Sequence, residues 1–365
     1  MKTSHRRPGR LMEMRAFGSN PGALKAFFHC PQRLPSKAPL VVVLHGCTQT
    51  AEGYDRGAGW SQLADRHGFA VLYPEQQRVN NPNLCFNWFL PEDIKRNSGE
   101  ACSIQQMIVK LIASRNLDPA RVYVTGLSAG GAMTSAMLAT YPEVFAGGAV
   151  IGGLPYGSAT TMQEAFERMQ GKSSLSTVEL QQLVRGASSH DGPWPILSVW
   201  HGTHDQTVRP RNRDLVIDQW RMVHDLSAAP SRTDTVNGYT RHVWVDKAGH
   251  ERLESFEITG MAHGVPLATK GHNGLGEEAP FMLEAGISST HEIARFWGLL
   301  VQGADDREGK AAFESRPDIL DGEIILPGSK PEREPRPEAE TAAKTGTGSI
   351  ETVINNALRA AGLLR

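Results

Sequence analysis

Five short hydrophobic runs, rich in β-branched residues, are spaced along the first part of the chain. Runs of this length and composition are typical of strands buried on both faces of a parallel sheet, because both faces must then be apolar. The runs are PLVVVLHG (39–46), GFAVLYPE (68–75), RVYVTG (121–126), FAGGAVIGG (145–153) and PILSVWHG (195–202). Each of them is therefore predicted to be a buried strand.

Segments with helical spacing separate these strands. In SIQQMIVKLIASR, residues 103–115, apolar side chains recur every three or four positions, as in an amphipathic helix. Helices are also predicted near Trp60–His67, over 129–141 and over 287–301. The alternation of strands and helices predicts an α/β fold with a mostly parallel sheet flanked by helices on both faces.

Three segments depart from this alternation. Residues 23–30 are predicted to form an edge strand. Residues 239–259 alternate between apolar and polar positions around a Lys247-Ala248-Gly249 turn, which predicts a hairpin. Residues 157–190 are polar and helix-prone, and we interpret them as a small inserted cap over the carboxyl edge of the sheet.

The two ends of the chain differ in character from the main domain, which we place at 21–302. Residues 1–20 are predicted to be a loose lead-in. The stretch 328–345 is rich in Pro, Glu, Lys and Ala and has no large apolar residue, so 303–348 is expected to be a disordered linker. Residues 349–365 regain an amphipathic pattern and are predicted to form a short helix, which either docks back on the domain or anchors the chain to a partner or surface.

Composition excludes several classes of partner. There are 38 Lys and Arg against 39 Asp and Glu, so charge gives no reason to expect nucleic acid. The apolar runs are too short for a membrane span, and no secretory signal is evident at the N-terminus, so we expect a cytoplasmic protein with mostly reduced thiols. No cofactor is expected, and the wide cysteine spacing does not suggest a zinc site. A Cys47–Cys85 disulfide is conceivable, and the sequence does not decide it.

The stretch VTGLSAGG, residues 124–131, contains the pattern G-x-S-x-G between a predicted strand and a predicted helix. That context is required for a nucleophile elbow, in which a sharp turn exposes the serine hydroxyl. Gly126 and Gly130 remove side chains that would collide with neighbouring chain at such a turn. We therefore predict that Ser128 is a catalytic nucleophile, rather than a small residue in a packing turn.

A serine nucleophile needs a base and an acid, which in this architecture follow it in the order acid, then histidine. Asp205 follows the strand 195–202 in SVWHGTHDQTV, whereas Asp191, Asp214 and Asp218 fit this position less well. His263 follows a strand in FEITGMAHGVP and is the predicted base. The other histidines considered for this role are His250, His272 and His291.

An oxyanion hole requires two backbone N–H donors. The first is predicted to be Ala129, directly after the nucleophile, and the second to be Cys47, with Thr48 as the next choice. His45 is expected to shape this loop through a structural hydrogen bond without transferring a proton. A nucleophilic role for Cys47 is disfavoured because no separate base is evident beside it.

Four stretches of the chain resemble the polyhydroxybutyrate depolymerase-like esterases. These esterases are α/β-hydrolases related to feruloyl and acetylxylan esterases, and the resemblance runs from about residue 20 to 300. The stretches are VVVLHGCTQTAEGYDRGAGWSQLADRHGFAVLYPEQ, CFNWF, ARVYVTGLSAGGAMTSAMLATYPEVFAGGAVIGGLPYG and HGTHDQTVRPRN. The resemblance implies Ser128 as nucleophile, Asp205 as acid, His263 as base and the Cys47 loop as oxyanion donor.

The resemblance implies hydrolysis of carboxylic esters, with short hydroxyalkanoate oligomers or polyhydroxybutyrate as the expected substrates. A feruloyl- or acetyl-ester hydrolase and a granule-associated binding protein with an idle triad are the alternatives. The residues after His263 differ from the Gly-rich, Trp-containing stretch common in relatives, and no polymer-binding module is evident, which argues against extracellular crystalline polymer. Trp60, Trp88 and Phe89 are candidate cleft residues, with ordinary packing near the sheet edge as the alternative for each, and the helix at 349–365 is a candidate granule contact.

Overall fold

The structure, a computed structural model, describes residues 9–271 and 274–301. The predicted linker 303–348, the predicted helix 349–365 and His272 lie outside the described residues. In the described part of the chain, no helix has the length and apolar character needed to cross a lipid bilayer.

The strands of the described residues form one large sheet and one small one. The strands are β1 (Met12–Glu13), β2 (Lys25–His29), β3 (Leu40–Leu44), β4 (Ala70–Glu75), β5 (Val122–Leu127), β6 (Gly147–Ile151), β7 (Ile196–Gly202), β8 (Arg232–Val236), β9 (Tyr239–Val245), β10 (Glu251–Ile258), β11 (Val265–Leu267) and β12 (Met282–Glu284). The order of the large sheet is β1-β2-β4-β3-β5-β6-β7-β10-β9-β8. Its six central strands, β4 to β10 in this order, are parallel, and the strands outside them are antiparallel.

Helices cover both faces of the sheet. They are α1 (Ala51–Ala58), α2 (Trp60–His67), α3 (Pro91–Ile94), α4 (Gly99–Arg115), α5 (Ala129–Thr140), α6 (Met162–Met169), α7 (Thr177–Arg185), α8 (Arg211–Val223) and α9 (Ser289–Phe296). This arrangement confirms the predicted mostly parallel sheet flanked by helices.

The central strands are apolar at every position because each strand contributes to two cores. In β3, Leu40, Val42 and Leu44 belong to one core, together with residues of α4, α5 and α8. Val41 and Val43 point the opposite way into a second core that contains residues of α1, α2 and α9. The alternation of side chains along a strand places successive residues on opposite faces of the sheet, so a continuous apolar run is required.

The edges of the sheet differ from the sequence prediction. Residues 23–30 contain β2, but this strand is not the edge, because Met12 pairs with Phe28 and β1 lies outside it. The predicted lead-in 1–20 therefore includes an edge strand of two residues. A strand of that length, exposed at both positions, has no hydrophobic periodicity to reveal it. The predicted hairpin is confirmed as β9 and β10, which pair antiparallel.

The insertion between β6 and β7 contains two helices in different positions. Ala165 of α6 packs with Trp88, Phe89 and Ala129 at the carboxyl end of the strands. Val184 of α7 instead belongs to the core on one face of the sheet, and α7 is hydrogen-bonded to α8. Of the two helices in the interpreted cap 157–190, α6 thus packs at the carboxyl edge of the sheet, whereas α7 turns the buried Val184 to the core on one face of the sheet.

Candidate active site

Ser128 stands on a strained turn between β5 and α5. Its backbone has φ 59° and ψ −120°, a region that residues with a side chain rarely adopt. The Ser128 N–H donates to the Ile151 carbonyl, 2.9 Å away at the end of the neighbouring strand β6. This bond and the helix that begins at Ala129 hold the strained turn in place.

Gly126 and Gly130 allow this turn to pack directly against the end of β3. A Cβ at Gly126 would lie 2.5 Å from the Gly130 carbonyl carbon and 2.7 Å from the Leu44 oxygen. A Cβ at Gly130 would collide with the backbone oxygens of Leu44 and His45. The start of α5 and the loop after β3 can approach each other only because both positions are glycine.

Asp205 and His263 meet at the same carboxyl edge of the sheet. The His263 Nδ1–H donates to Asp205 Oδ2 over 2.6 Å, and both side chains are buried. Asp205 Oδ1 accepts the backbone N–H groups of Thr207 and Val208, each at 2.9 Å. Burial alone would raise the pKa of Asp205, but hydrogen bonds from His201 and His263 outweigh it and hold that pKa well below its usual range. The carboxylate is therefore ionised and can stabilise an imidazolium.

The free nitrogen of His263 is placed to act as a base. Its Nε2 is buried and has no hydrogen-bond partner within the described residues. A Cβ at Gly152 would lie 3.2 Å from His263 Cε1, so the imidazole rests on this residue. The Ser128 N–H is hydrogen-bonded to the carbonyl of Ile151, the residue before Gly152, so Ser128 and His263 both contact the short segment 151–152. No direct Ser128–His263 hydrogen bond is formed in the described structure, a common state of catalytic pairs without substrate.

The oxyanion loop, defined as residues 45–48, is held by hydrogen bonds on several sides. His45 Nε2 accepts the Gln76 N–H at 3.1 Å, so the ring proton lies on Nδ1, which donates to the Gly46 carbonyl over 2.7 Å. Burial lowers the pKa of His45 to about 4, so the imidazole stays neutral. A trans peptide places N–H opposite C=O, so this bond turns the Cys47 N–H away from the His45 ring.

The hydrogen bonds of the oxyanion loop distinguish between its possible donors. The Thr48 N–H donates to the Asn83 carbonyl over 2.7 Å, and the Gly46 N–H donates to Gln49 Oε1 over 2.8 Å. The N–H groups of Cys47 and Ala129 have no acceptor within the described residues. Thr48, the second choice from sequence, is therefore wrong as a free donor, because its N–H is already used to close the loop.

A disulfide joins Cys47 to Cys85, while Cys30 and Cys102 are free thiols. This decides a pairing that the sequence left open. The bridge ties the oxyanion loop to the segment that continues into Trp88.

The aromatic candidates lie in different places. Trp88 and Phe89 belong to what we call the site-side cluster, which also includes Ala129, the residue after Ser128. Its buried members are Trp88, Phe89, Ala129, Ala132, Leu154, Ala159, Ala165 and Val208. Trp60 was predicted to line the cleft, and this is wrong. Its side chain is 1% exposed in the core beneath α1, α2 and α9, where it stacks on Trp297 at 5.9 Å between ring centroids.

The rejected acids and histidines lie away from this arrangement. Asp214 and Asp218 are ion-paired with arginines of α8. His250 is exposed at the turn of the β9–β10 hairpin, and His291 lies on α9. Within residues 9–271 and 274–301, no three His, Cys, Asp or Glu side chains are grouped as ligands of a metal ion.

Sequence reasoning missed two residues that support the site. His201, the penultimate residue of β7, lies against Asp205, and the pattern H-G-x-x-D was its only signal. Glu100 is buried and accepts Gln76 Nε2–H at 2.6 Å and the Asn87 N–H at 2.9 Å, which anchors the segment before Trp88. Burial and the charge of Asp93 raise the pKa of Glu100 to about 8. As an acidic residue in the first turn of a helix, Glu100 gave no sequence signal of burial.

Comparison with known proteins identifies the family. The family described as "Esterase PHB depolymerase" matches residues 25–241, which include Ser128 and Asp205. The chain is 45% identical to poly(3-hydroxyalkanoate) depolymerase C of Paucimonas lemoignei over 292 residues, 80% of this chain and 70% of the relative. It is 33% identical to an acetylxylan esterase of Coprinopsis cinerea over 267 residues, 71% of this chain and 70% of the relative.

A solved structure shows the same fold. The acetyl xylan esterase from Aspergillus awamori superposes with a TM-score of 0.68 at 25% identity, covering 80% of this chain and 100% of that one. The chain therefore belongs to the PHB depolymerase family of esterases, and it is a carboxylic ester hydrolase with the α/β-hydrolase fold.

Proposed function

We propose that this enzyme hydrolyses esters of short hydroxyalkanoates, as oligomers or as polyhydroxybutyrate, through a triad of Ser128, His263 and Asp205. The observation that carries the proposal is the 2.6 Å hydrogen bond from His263 Nδ1 to Asp205, which leaves a buried Nε2, without a partner among the described residues, next to the segment that holds Ser128. This is the arrangement of a base and its orienting acid in serine hydrolases.

The chemistry follows from the positions of these groups. Ser128 Oγ attacks the ester carbonyl while His263 Nε2 takes the hydroxyl proton, and Asp205 stabilises the resulting imidazolium. The tetrahedral oxyanion accepts hydrogen bonds from the N–H groups of Cys47 and Ala129, each commonly worth ~3–4 kcal/mol in the transition state. His263 then gives the proton to the departing alcohol, and water attacks the acyl-enzyme with His263 again as base.

The substrate class rests on similarity and on the cluster beside the nucleophile. The relative named as a poly(3-hydroxyalkanoate) depolymerase is 45% identical, whereas the acetylxylan and feruloyl esterases lie at 30–33%. Trp88 and Phe89 are buried beside Ala129, and we propose that this apolar cluster borders the path of an aliphatic polyester chain. Acetyl- or feruloyl-ester hydrolysis is the second candidate, favoured by the structural likeness to an acetyl xylan esterase.

A hydrolysis panel tests both the triad and the substrate. Purified enzyme, Ser128→Ala and a control Ser114→Ala on α4 are assayed on p-nitrophenyl acetate through octanoate, hydroxybutyrate oligomers, amorphous polyhydroxybutyrate and methyl ferulate. We expect turnover of the oligomers or polymer that the control retains and Ser128→Ala loses by at least about 10³-fold. Dominant cleavage of ferulate or acetate esters would overturn the substrate, and turnover by Ser128→Ala would overturn the nucleophile.

The location and the granule contact are separate proposals. A cytoplasmic location was the expectation from sequence, but the Cys47–Cys85 disulfide favours an oxidising compartment, because cytosolic thiols are kept reduced. Alkylation of the enzyme in intact cells, followed by mass analysis of Cys47 and Cys85, decides between the two. For the granule contact we propose the apolar residues of 349–365, and the test is loss of granule co-sedimentation in the full chain carrying Ile354→Asp and Leu358→Asp.

A further inference from the structure

A second histidine touches the carboxylate of the proposed triad. His201 lies on β7 and is 2% exposed. Its Nε2 is 2.8 Å from the Val208 carbonyl oxygen and 3.3 Å from Asp205 Oδ2. Both neighbours are acceptors, so Nε2 carries the ring proton; it donates this proton to the Val208 carbonyl, and Asp205 Oδ2 lies beside the same N–H. His201 Nδ1 is buried and has no hydrogen-bond partner among the described residues.

The two oxygens of Asp205 have different surroundings. Oδ1 accepts backbone N–H groups from its own loop, at Thr207 and Val208. Oδ2 faces two imidazoles, with His263 Nδ1 at 2.6 Å and His201 Nε2 at 3.3 Å. The oxygen that holds the proposed base is therefore also the oxygen that His201 approaches.

Val208 connects the His201–Asp205 contact to the site-side cluster. Its N–H donates to Asp205 Oδ1, its carbonyl accepts from His201, and its side chain belongs to the site-side cluster with Trp88 and Ala129. The His201 Nε2–H thus ties the loop between β7 and α8 to strand β7 through the Val208 carbonyl. The same N–H faces the carboxylate of Asp205, which lies in that loop.

We propose that His201 is a positioning residue, which holds Asp205 Oδ2 in line with His263 and limits how strongly this oxygen binds the His263 proton. The inference rests on the proposed triad. The positive end of the His201 N–H dipole lies 3.3 Å from the oxygen that accepts the His263 proton, so it stabilises the charge on that oxygen and weakens the Asp205–His263 bond slightly while fixing its direction.

Loss of this donor has two consequences. The carboxylate is less well oriented, which lowers kcat. Asp205 Oδ2 also binds the His263 proton more strongly, so the base stays protonated to higher pH and the acid limb of the kcat/KM profile moves up. The titratable groups that face Asp205 are His201 on β7 and His263 on the loop after β10. A side chain that merely filled space at position 201 would not move the acid limb.

The experiment compares three variants of the full chain. His201→Leu removes the donor, His201→Gln places an amide N–H near the position of Nε2, and His224→Leu is the control. His224 is also a largely enclosed histidine bonded to a backbone carbonyl, that of Pro195 at 3.0 Å, and it lies at the end of α8. Each variant is assayed for kcat, KM and the pH profile on the best ester of the panel.

For His201→Leu we expect kcat to fall about 10- to 100-fold, the size of effect found for residues that orient metal-bound side chains by hydrogen bonds, with KM changed much less. The acid limb moves to higher pH. His201→Gln recovers most of kcat and returns the acid limb towards that of the wild type, and His224→Leu leaves both unchanged. Equal loss in the Leu and Gln variants, or an unmoved acid limb in His201→Leu, would overturn the proposal.

A spectroscopic measurement keeps the test independent of activity and of folding defects. The proton shared by His263 Nδ1 and Asp205 gives a downfield proton NMR signal, which Asp205→Asn should abolish. We expect the signal to move further downfield in His201→Leu and to return in His201→Gln. An unchanged signal in a folded His201→Leu would overturn the positioning role, whereas a normal signal without ester hydrolysis in the wild type would instead overturn the proposed function.

Discussion

Gly130 is the residue at which helix α5 meets the end of β3. The proposed oxyanion hole needs Ala129 and Cys47 on facing sides of one small space, and a Cβ at Gly130 would collide with the Leu44 and His45 oxygens on the Cys47 side. The sequence predicted that Gly126 and Gly130 are needed because side chains at these positions would collide with neighbouring chain. The partner of Gly130, the Leu44–His45 backbone, became visible only in the structure.

Gly130→Ala is expected to lower kcat strongly and to destabilise the fold by about 1–3 kcal/mol, because backbone oxygens cannot move aside as a side chain could. The measurements are kcat and urea unfolding. Gly9→Ala is the control, since its nearest neighbour is the flexible end of Glu52 at 3.5 Å. A Gly130→Ala variant with the stability and activity of the wild type would contradict the close approach.

Glu100 gives the stability of the enzyme a predictable pH dependence. Its pKa in the folded protein is raised to about 8, so between the pKa of the unfolded chain and pH 8 the folded state binds more protons than the unfolded state. The free energy of unfolding therefore falls as pH rises through this window, by at most about 1.4 kcal/mol per pH unit from this group. In Glu100→Gln this part of the slope is expected to disappear.

Urea unfolding at pH 6 and pH 9 checks the expectation, with the difference between the two pH values compared in wild type and Glu100→Gln. Glu92→Gln is a suitable control because this glutamate is exposed on α3. An identical pH difference in wild type and Glu100→Gln would show that Glu100 is already ionised in the folded enzyme.

At the scale of elements, hydrophobic pattern predicted the central strands and most helices well. Helix α2 matches its predicted span, and the five apolar runs became β3 to β7. The short strands β1, β8, β11 and β12 were missed, since two or three residues carry no period and β8 is mostly exposed. These strands are held by pairing with neighbours rather than by a pattern of their own.

The disulfide connects two loops that hydrogen bonds already hold. Cys47 and Cys85 are 38 residues apart, and closing a loop of that size contributes about 2–4 kcal/mol. Cys85→Ser is therefore expected to lower the free energy of unfolding by this amount. The bonds of His45, Gln49 and Asn83 remain, so kcat is expected to fall less than about tenfold.

Thermal unfolding and ester hydrolysis of Cys85→Ser, with Cys30→Ser as the control for an unbridged thiol, provide the measurement. A loss of kcat far beyond tenfold in a folded Cys85→Ser would mean that the bridge, rather than the hydrogen bonds, positions the Cys47 N–H. Unchanged stability would mean that the bridge does not form in solution.

At the scale of the whole molecule, two tryptophans that looked alike in the sequence lie in different clusters. Trp60 lies in the core beneath α1, α2 and α9, and Trp88 clusters with Ala129, which directly follows the proposed nucleophile Ser128. Trp60→Ala is expected to cost about 3–5 kcal/mol of stability with little change in KM. Trp88→Ala is expected to raise KM for the longer esters.

This pair is checked by urea unfolding and by KM across the p-nitrophenyl ester series, each variant serving as the control for the other. A changed chain-length preference in Trp60→Ala at full stability would contradict its place in the core. An unchanged preference in Trp88→Ala would remove this residue from the substrate wall.

The sequence by itself determined the parallel α/β sheet, the elbow at Ser128 and the candidates Asp205 and His263, because apolar period, glycine spacing and chain order are local properties. Only the tertiary structure decided that Cys47 pairs with Cys85 and that the Thr48 N–H donates to the Asn83 carbonyl. It also decided that Trp60 is a core residue and that His201 lies close to Asp205. Each of these depends on which residues from distant parts of the chain meet at the carboxyl edge of the sheet or beneath it. That meeting is set by the packing of the strands and helices together, and no single stretch of sequence records it.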